Sequence, residues 1–180
     1  MAVEGAARRI LVVGSPASGK SAVAQRLGIL SKVPVHHLDA LYFRPGWVDQ
    51  NEERWRDTVA GLTARDEWVM DGNFLDSMPL RLDRADVVLW LDYDRIETLR
   101  RVAARMILPQ PSPRADLAEG CTESWSVDFL IASWKFFDFQ RLELERLSAA
   151  QPKSKAVLRV TRPKNLDFFI KRYADRVKRK

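Results

Sequence analysis

The chain carries at residues 14–21 the octapeptide Gly14-Ser15-Pro16-Ala17-Ser18-Gly19-Lys20-Ser21, which fits the pattern G-x-x-x-x-G-K-[ST] at every position. The apolar run Ile10-Leu11-Val12-Val13 precedes it. A short run of this kind, rich in β-branched residues and ending at glycine, predicts a strand buried on both faces of a parallel sheet. Apolar residues at helical spacing then predict a helix over residues 20–30. The sequence thus predicts a strand, a glycine-rich loop and a helix in succession.

A loop of this type is suited to binding phosphates. Its glycines let the backbone turn successive N–H groups toward one phosphate, and the following helix adds the positive end of its dipole. In this pattern Lys20 reaches the β- and γ-phosphates, and the hydroxyl of Ser21 coordinates Mg²⁺. The alternative is an ordinary turn with an exposed lysine, but the flanking strand and helix favour the phosphate site. We therefore expect residues 14–21 to bind ATP or a related nucleotide together with Mg²⁺.

Four more strands are predicted from short apolar runs at residues 33–38, 68–70, 87–91 and 156–160. Helices are predicted between and after them, at residues 51–64, 94–107, 127–147 and 165–177. Strands that alternate with helices predict an α/β fold with a mostly parallel, helix-covered sheet. Such sheets bind ligands at the carboxyl ends of their strands. Four of these ends are followed by Gly14, Asp39, Asp71 and Asp92.

Composition and cysteine usage indicate the broad class of protein. A chain of 180 residues that is 46% hydrophobic suits one globular domain, so residues 1–180 are expected to form a single unit. No apolar run is long enough for a membrane span or a leading signal peptide. Cys121 is the only cysteine, whereas secreted proteins of this size often carry pairs. We expect a cytoplasmic protein that does not contact a membrane.

The net charge of +6 is unevenly distributed. Residues 153–180 hold eleven Lys or Arg and two Asp, a net charge of +9, so the preceding residues carry −3. A basic segment can bind nucleic acid through phosphate contacts. It can also be a solvated helix face, and no recognised DNA-binding motif accompanies the charge. The solvated face is the favoured interpretation, and nucleic-acid binding stays an alternative.

Beyond the loop, the sequence resembles the adenylate-kinase-like P-loop kinases, and within them the group labelled DNA topology modulation proteins. The resemblance rests on three segments: His37-Leu38-Asp39-Ala40-Leu41-Tyr42-Phe43, Pro45-Gly46-Trp47 and Trp68-Val69-Met70-Asp71-Gly72-Asn73-Phe74. It extends to residues 85–92 and to Arg81, Arg100, Arg101 and Arg105. The resemblance extends over about residues 8–160. The group's label does not show that its members act on DNA.

The resemblance implies a P-loop NTPase three-layer sandwich with a five-stranded parallel sheet in the order 2-3-1-4-5. It also implies an acceptor-side insertion at about residues 40–65 and a short lid at about 108–124. In nucleoside monophosphate kinases an aspartate at the place of Asp71 binds Mg²⁺ through water. The motif Asp-Gly-Phe-Pro-Arg of those kinases is not kept, because Asn73-Phe74-Leu75 stands in place of Phe-Pro-Arg. The arginine that binds AMP in adenylate kinases is therefore absent from this motif, although Arg81 follows a few residues later.

Catalytic roles are assigned to Lys20, Asp39, Asp71, Arg105 and Arg114. Asp71 is expected to bind Mg²⁺ through water and Asp39 to orient or deprotonate the acceptor hydroxyl, although aspartates at these places also form simple turns. Arginine grips phosphate oxygens in pairs, and the arginines at 101 and 105 share one helix face. The resemblance makes these two, together with Arg114 in the lid, candidates for the ATP phosphates or adenine.

Two further groups complete the expected site. The turn Arg162-Pro163 resembles the turn that packs on the base in related kinases. On the acceptor side we place Asp39, Arg44, Trp47, Asn73 and Arg81. Aromatic residues in this region can stack on a planar substrate, but they are as often simply part of the core.

The leading hypothesis is a kinase that transfers the γ-phosphoryl group of ATP to a small acceptor. The protein is expected to be a monomer or homodimer. A regulatory nucleotide-binding protein that contacts DNA through its basic end is the alternative. A P-loop hydrolase acting on a partner is the third, and the extra domains typical of such machines are not evident.

Overall fold

The computed structural model describes residues 7–107, 116–121, 127–153 and 155–177. Within them the strands are β1 (Arg9–Gly14), β2 (Val35–His37), β3 (Phe43–Arg44), β4 (Val48–Asp49), β5 (Trp68–Asp71), β6 (Val87–Leu91) and β7 (Ala156–Val160). The α-helices are α1 (Lys20–Ser31), α2 (Leu38–Tyr42), α3 (Glu52–Thr63), α4 (Met78–Arg84), α5 (Arg95–Ile107), α6 (Val127–Lys135), α7 (Gln140–Ala149) and α8 (Pro163–Val177). A 3₁₀ turn, Leu75–Ser77, precedes α4.

The described residues form one large sheet in the order β2-β5-β1-β6-β7, in which every neighbouring pair is parallel. β3 and β4 form a separate antiparallel pair that the sequence did not predict. The numbering of the strands differs from the expected 2-3-1-4-5 because this hairpin adds two strands to the count. With the hairpin left out, the sheet strands follow the expected order, and the predicted α/β fold is confirmed.

Helices cover both faces of the sheet, which gives three layers. Leu27 of α1 and Ile170 of α8 pack with Val12 on one face. Leu82 of α4 packs with Leu11 on the opposite face. The central strand β1 is therefore enclosed on both sides, and its apolar residues 10–13 are at most 1% exposed. This burial explains why the strand reads as an unbroken apolar run.

The single long helix predicted at residues 127–147 is in fact two helices, α6 and α7. Between them Phe139 has non-helical dihedral angles. The amide of Arg141 donates a hydrogen bond of 2.9 Å to the carbonyl of Phe136, which closes a wide turn. The break has a packing reason. Phe136 is buried in the core and Arg141 forms an ion pair with Asp92. In a continuous helix the side chains at 136 and 141 would point about 140° apart.

Two smaller boundaries also differ from the prediction. β2 is shorter than the predicted strand at 33–38, because α2 begins at Leu38 directly after it. α8 begins at Pro163, two residues before the predicted cap Asn165. Proline suits the first position of a helix, since the amide hydrogen that it lacks has no partner there in any case. Among the described residues, no helix has both the length and the apolar character needed to cross a bilayer.

A carboxylate joins the start of β1 to the start of β6. Asp86 Oδ2 accepts from the amides of Arg8 at 3.1 Å and Arg9 at 2.8 Å, and Oδ1 accepts from Arg9 Nη2 at 2.6 Å. Burial by itself would raise the pKa of Asp86. The hydrogen bonds from the side chain and amide of Arg9 and from the amide of Arg8 outweigh burial, so the pKa lies below its ordinary value of 3.8.

We predict that Asp86→Asn lowers the free energy of unfolding by about 1.5 kcal/mol at neutral pH, because the charge-assisted hydrogen bonds are lost. A depressed folded pKa contributes stability that is complete above the ordinary value of 3.8 and is lost as the pH falls through the folded value. Denaturation curves of both proteins should therefore converge in acid. The exposed Asp57→Asn is the control, and a difference that stays constant with pH would contradict the assignment.

Candidate active site

The loop between β1 and α1 begins at Gly14, where a side chain cannot be accommodated. Its φ is +146°, and a Cβ built there would lie 2.2 Å from the carbonyl oxygen of Leu91. The loop stays close to β6, since the amide of Ser15 donates to the same carbonyl at 3.1 Å. α1 begins at Lys20, behind Gly19 with its φ of +91°. The positive end of the α1 dipole is thus directed at the loop.

Two buried hydroxyls belong to this loop. Ser15 is 0% exposed and Ser18 is 2% exposed, and neither Oγ has a hydrogen-bond partner among the described residues. Buried hydroxyls without a partner cost free energy, so such groups usually serve a ligand or an ordered water. Oxygen atoms of a phosphate can accept hydrogen bonds from them. The two buried hydroxyls therefore indicate that the loop suits a phosphate group, and this observation is independent of the sequence motif.

Lys20 lies folded over the loop. Its Nζ donates to the carbonyl of Gly14 at 3.2 Å and to that of Ser15 at 3.0 Å. These carbonyls are close to the helix N-terminus, where an anion is favoured. The ammonium group therefore lies at the loop, bonded to two carbonyls that it would leave to reach a bound polyphosphate.

A chain of polar contacts links the loop to the ends of β5 and β2. Ser21 Oγ donates to Asp71 Oδ2 at 2.8 Å, and His37 Nδ1 donates to Asp71 Oδ1 at 2.5 Å. His37 and Asp71 are paired in the parallel register of β2 and β5, which explains why they meet. Asp71 is only 3% exposed. A hydroxyl and a carboxylate in contact are the hard oxygen ligands that Mg²⁺ requires, so the donor set fits this ion.

His37 is a site residue that the sequence analysis did not assign. Burial lowers its pKa, but the hydrogen bond to Asp71 and the charges of Asp71, Asp116 and Asp39 outweigh burial, so the pKa is raised above 6.5. The signal in the sequence was its position, because it ends β2 as Asp71 ends β5. Asp39 itself is exposed in the first turn of α2, on the same edge of the sheet. Asp116 is a second carboxylate near His37 that the sequence did not indicate, and it is 6% exposed.

Asn73 and Arg81, which we expected on the acceptor side, both make side-chain contacts with backbone groups near the end of β5 and the phosphate-type loop. The side-chain amide of Asn73 contacts the phosphate loop, with Oδ1 3.1 Å from the amide nitrogen of Gly14 and Nδ2 3.0 Å from its carbonyl oxygen. Arg81 is 0% exposed and donates to the carbonyls of Gly72 at 2.8 Å, Phe74 at 2.7 Å and Asn73. The hydrogen-bond donors of its guanidinium are thus engaged by the turn after β5. The expectation that Arg81 contacts an acceptor is corrected on this ground.

Asp92, which also follows a strand, is engaged elsewhere. Its Oδ1 accepts from Arg141 Nε at 2.8 Å, and its Oδ2 accepts from Arg159 Nε at 2.7 Å. The guanidinium of Arg159 also lies 4.4 Å from the centroid of the Trp90 ring. Asp92 is therefore a buried ion-pair partner that fixes α7 and β7 at the sheet edge, and its oxygen atoms are taken by arginines.

The arginines expected at the nucleotide lie on α5 and before α8. Arg101 Nε donates to Glu97 at 2.8 Å, and its guanidinium lies 4.9 Å from the centroid of the Tyr93 ring. Hydrogen bonds from Arg100 and Arg101 lower the pKa of Glu97 to about 2. A nucleotide would thus compete with Glu97 for Arg101. Arg105 follows one turn later on α5 and is partly buried.

The other nucleotide-side candidates lie at the end of β7 and in the expected lid. Arg162 is exposed between β7 and α8, and Pro163 is partly buried at the start of α8. Arg114 lies outside the described residues, as does most of the expected lid at 108–124.

The insertion at residues 40–65, which we expected on the acceptor side, contains the β3–β4 hairpin. Trp47 has a φ of +62° in its turn, and its ring packs against Phe43 at 5.0 Å between centroids. Arg44 Nε and Nη2 donate to Gln50 Oε1 at 2.9 and 2.5 Å. The guanidinium of Arg44 is thus directed along the hairpin. Beneath it a cluster of aromatic residues ties the insertion to the turn after β5; its rings belong to Tyr42, Trp55 and Phe74.

The described part of the expected lid, residues 116–121, lies against this hairpin. The amide of Gly46 donates to the carbonyl of Gly120 at 3.2 Å, and Cys121 Sγ donates to the carbonyl of Arg44 at 3.2 Å. Gly120 has a φ of +74°, and a Cβ there would lie 2.9 Å from Pro45. The close approach of two backbones explains the glycine.

Comparison with known proteins supports the fold. No protein-family model matches the sequence, and no curated protein matches it in sequence. A gluconokinase from Sinorhizobium meliloti 1021 is similar in structure, with a TM-score of 0.55, 15% identity, and coverage of 98% of this chain and 94% of that chain.

Two further solved structures are similar to the chain. A sugar kinase from Janibacter sp. HTCC2649 has a TM-score of 0.51 and 15% identity, and 94% of this chain and 95% of that chain are covered. Shikimate kinase from Bacteroides thetaiotaomicron has a TM-score of 0.51 and 16% identity, and 96% of this chain and 99% of that chain are covered. The chain therefore shares the overall fold of these three proteins over nearly their whole length.

Proposed function

We propose that the protein is an ATP- and Mg²⁺-dependent phosphotransferase that moves the γ-phosphoryl group of ATP to a hydroxyl of a small acceptor. One observation carries the proposal. The phosphate-type loop, through Ser21, touches the buried carboxylate of Asp71, and Asp39 follows the neighbouring strand end at the same sheet edge. The groups proposed for the nucleotide, for the metal and for the acceptor thus lie along one edge of the sheet.

The phosphates of the nucleotide would be bound by the amides of the loop at 14–21, by Ser15 and Ser18, and by Lys20. The two hydroxyls are buried without a partner among the described residues, and Lys20 already lies over the loop. Charge gathers on the transferred group during phosphoryl transfer, so the protein mainly positions and neutralises it. Arg101, Arg105, Arg114 and the turn Arg162-Pro163 remain candidates for the phosphates and the base.

Ser21 and Asp71 would hold Mg²⁺, Asp71 through a water molecule. When bound, the ion neutralises the negative charge of the β- and γ-phosphates. His37 donates to the oxygen of Asp71 that does not meet Ser21. It thereby fixes the carboxylate so that one oxygen faces the phosphate loop, as partners of metal ligands commonly do.

On the acceptor side, Asp39 would accept the hydrogen of the acceptor hydroxyl. Its place in the exposed first turn of α2 leaves it accessible to a small molecule. Trp47 and Arg44 lie on the hairpin beside it. Since Arg81 is buried, it is not available to grip the phosphate of a nucleoside monophosphate. Nucleosides and other hydroxylated metabolites are therefore favoured over AMP.

The similar solved structures support a hydroxylated acceptor by analogy of fold. They are named as a gluconokinase, a sugar kinase and shikimate kinase. Fold similarity alone does not fix a substrate, so the acceptor class rests on the site. The narrower resemblance to the DNA topology modulation group, a cytoplasmic location, a single domain over 1–180 and a monomeric or homodimeric state belong to the same proposal.

DNA binding through the basic end is less favoured than small-molecule phosphorylation. Lys155 donates to the backbone carbonyls of Leu82 and Asp83, and Arg159 pairs with Asp92. The side chains of these two basic residues therefore have partners within the fold, which makes them less available to bind the phosphates of DNA.

We predict that the purified protein releases ADP in a coupled assay when one acceptor of a panel is added. The panel contains nucleosides, nucleotides and small sugars and alcohols. Lys20→Ala should lower the acceptor-dependent rate at least about 100-fold, because the charge that neutralises the transferred group is lost. Lys135→Ala, an exposed lysine at the end of α6, is the matched control. ATP binding without acceptor-dependent turnover would instead favour the regulatory alternative.

We predict that Asp71→Asn lowers Mg²⁺-dependent turnover about 10- to 100-fold. The amide keeps the size of the carboxylate but removes its charge, so Mg²⁺ affinity falls while the fold is retained. The measurement is turnover as a function of Mg²⁺ concentration, with thermal unfolding in parallel. Asp66→Asn, an exposed aspartate just before the opposite end of β5, is the control. An unchanged Mg²⁺ dependence in the Asp71 variant would remove this residue from the site.

A further inference from the structure

The side chain of Asn73 forms a two-point contact with the peptide groups of Gly14. Oδ1 accepts from the amide nitrogen at 3.1 Å, and Nδ2 donates to the carbonyl oxygen at 3.0 Å. An amide side chain that bonds both groups of one residue copies the contact that a neighbouring strand would make. Gly14 is the last residue of β1, where the β1–β5 pairing has already ended at Val12 and Asp71. Asn73 thus extends the support of β1 by one step into the phosphate loop.

The opposite side of Gly14 is also fixed. The residue is paired with Leu91 of β6, and the carbonyl of Leu91 leaves no room for a Cβ. With Leu91 on one side and Asn73 on the other, the first residue of the loop has little freedom to move. The direction of the following amides, which would point at a phosphate, depends on this starting point.

Asn73 is itself held by the core. Arg81 donates to the carbonyls of the residues before, at and after Asn73, and it is 0% exposed. Burial lowers the pKa of Arg81 to about 9, so it remains protonated at neutral pH and keeps all of its donors. The turn carries Phe74 at a φ of +34°, which is unusual for a residue with a side chain. The hydrogen bonds from Arg81 therefore stabilise this turn.

The carbonyl of Gly14 receives two donors, Asn73 Nδ2 at 3.0 Å and Lys20 Nζ at 3.2 Å. A carbonyl oxygen has two lone pairs and can accept both. When Lys20 turns toward a polyphosphate, it gives up its contact with this oxygen. Asn73 can remain in place and keep the carbonyl paired, which reduces the cost of releasing the lysine.

We propose that Asn73, held by Arg81, is a positioning residue for the phosphate-binding loop: it fixes Gly14 from the side of β5 and allows Lys20 to move to the phosphates of a nucleoside triphosphate. This rests on the nucleotide-binding part of the proposed function. It assigns Asn73 and Arg81 to the nucleotide side of the site, and it requires no contact between either side chain and the acceptor.

The first test is the affinity of Asn73→Ala for MgATP and MgADP, measured by titration calorimetry without any acceptor. We expect the dissociation constants to rise about tenfold, which corresponds to about 1.4 kcal/mol. The control is Asn51→Ala. Asn51 is also an asparagine whose side chain accepts from a backbone amide, that of Arg54 at 3.1 Å, but it caps α3 and is exposed. Its loss should leave nucleotide affinity within about twofold of wild type.

The second readout does not need a nucleotide. Hydrogen–deuterium exchange of the peptide that covers residues 14–21 should be faster in Asn73→Ala than in wild type, and unchanged in Asn51→Ala. Arg81→Lys should produce the same faster exchange, because one ammonium cannot serve three carbonyls in the geometry of a guanidinium. If Asn73→Ala does not fold, Asn73→Ser, whose side chain is too short to bond both groups, takes its place in both measurements.

Unchanged MgATP affinity and unchanged loop exchange in a folded Asn73 variant would overturn the inference. So would a rise in the KM for the acceptor with no change in the KM for ATP, since that result would return Asn73 to the acceptor side. The proposed function fails separately. If wild type binds MgATP but phosphorylates no acceptor, the kinase assignment falls, while the calorimetry and exchange measurements still decide the role of Asn73.

Discussion

Gly14 is where the sheet becomes the ligand site, and the architecture around it depends on the absence of a side chain there. A Cβ at this position would lie 2.2 Å from the carbonyl oxygen of Leu91. Because β1 can approach β6 this closely, Ser15 keeps one more hydrogen bond to that carbonyl. The chain then leaves the sheet in the direction of α1, whose N-terminus faces the loop. On the opposite side the gap beyond the end of β5 is filled by the side chain of Asn73.

Polar residues beyond the strand ends fall into two kinds, and their partners separate them. Asp71 contacts a serine and a histidine, so its carboxylate lies among groups suited to a metal and a phosphate. Asp92 contacts two arginines that come from α7 and β7. Breaking a buried pair of that kind leaves an uncompensated charge, so the second arrangement favours a fixed structure over an exchangeable ligand. Asp71 and Asp92 both follow a strand in the sequence, but their contacts suit different roles.

The cationic side chains near the loop are held by contacts of a different kind. The loop lysine rests on backbone carbonyls that it can leave, and Arg101 is shared between Glu97 and the Tyr93 ring on a partly exposed helix face. Within the described residues, the β3–β4 hairpin contacts residues 116–121 through the hydrogen bond from Gly46 to Gly120 and through Cys121 Sγ at the carbonyl of Arg44. In the proposed function, Gly14 and Asp71 are held by contacts within the fold, while Lys20 and Arg101 would exchange their present partners for a ligand. That division suits a reaction in which positioning is the main task of the protein.

The local sequence was sufficient for the five strands of the main sheet and for a loop of the phosphate-binding type between β1 and α1. A buried run before Gly14, a helix after Lys20 and aspartates after further strands follow from periodicity and backbone sterics, which act over a few residues. The partners of Asn73, Arg81 and His37 could not be predicted in this way, because each contact joins segments brought together only by the parallel pairing of the sheet and the turn after β5. The break between α6 and α7 also has a distant cause, since it lets Phe136 enter the core while Arg141 reaches Asp92. Residue type and spacing determined the chemistry that each side chain is capable of. The packing of segments that are distant in the sequence determined which partner each side chain contacts.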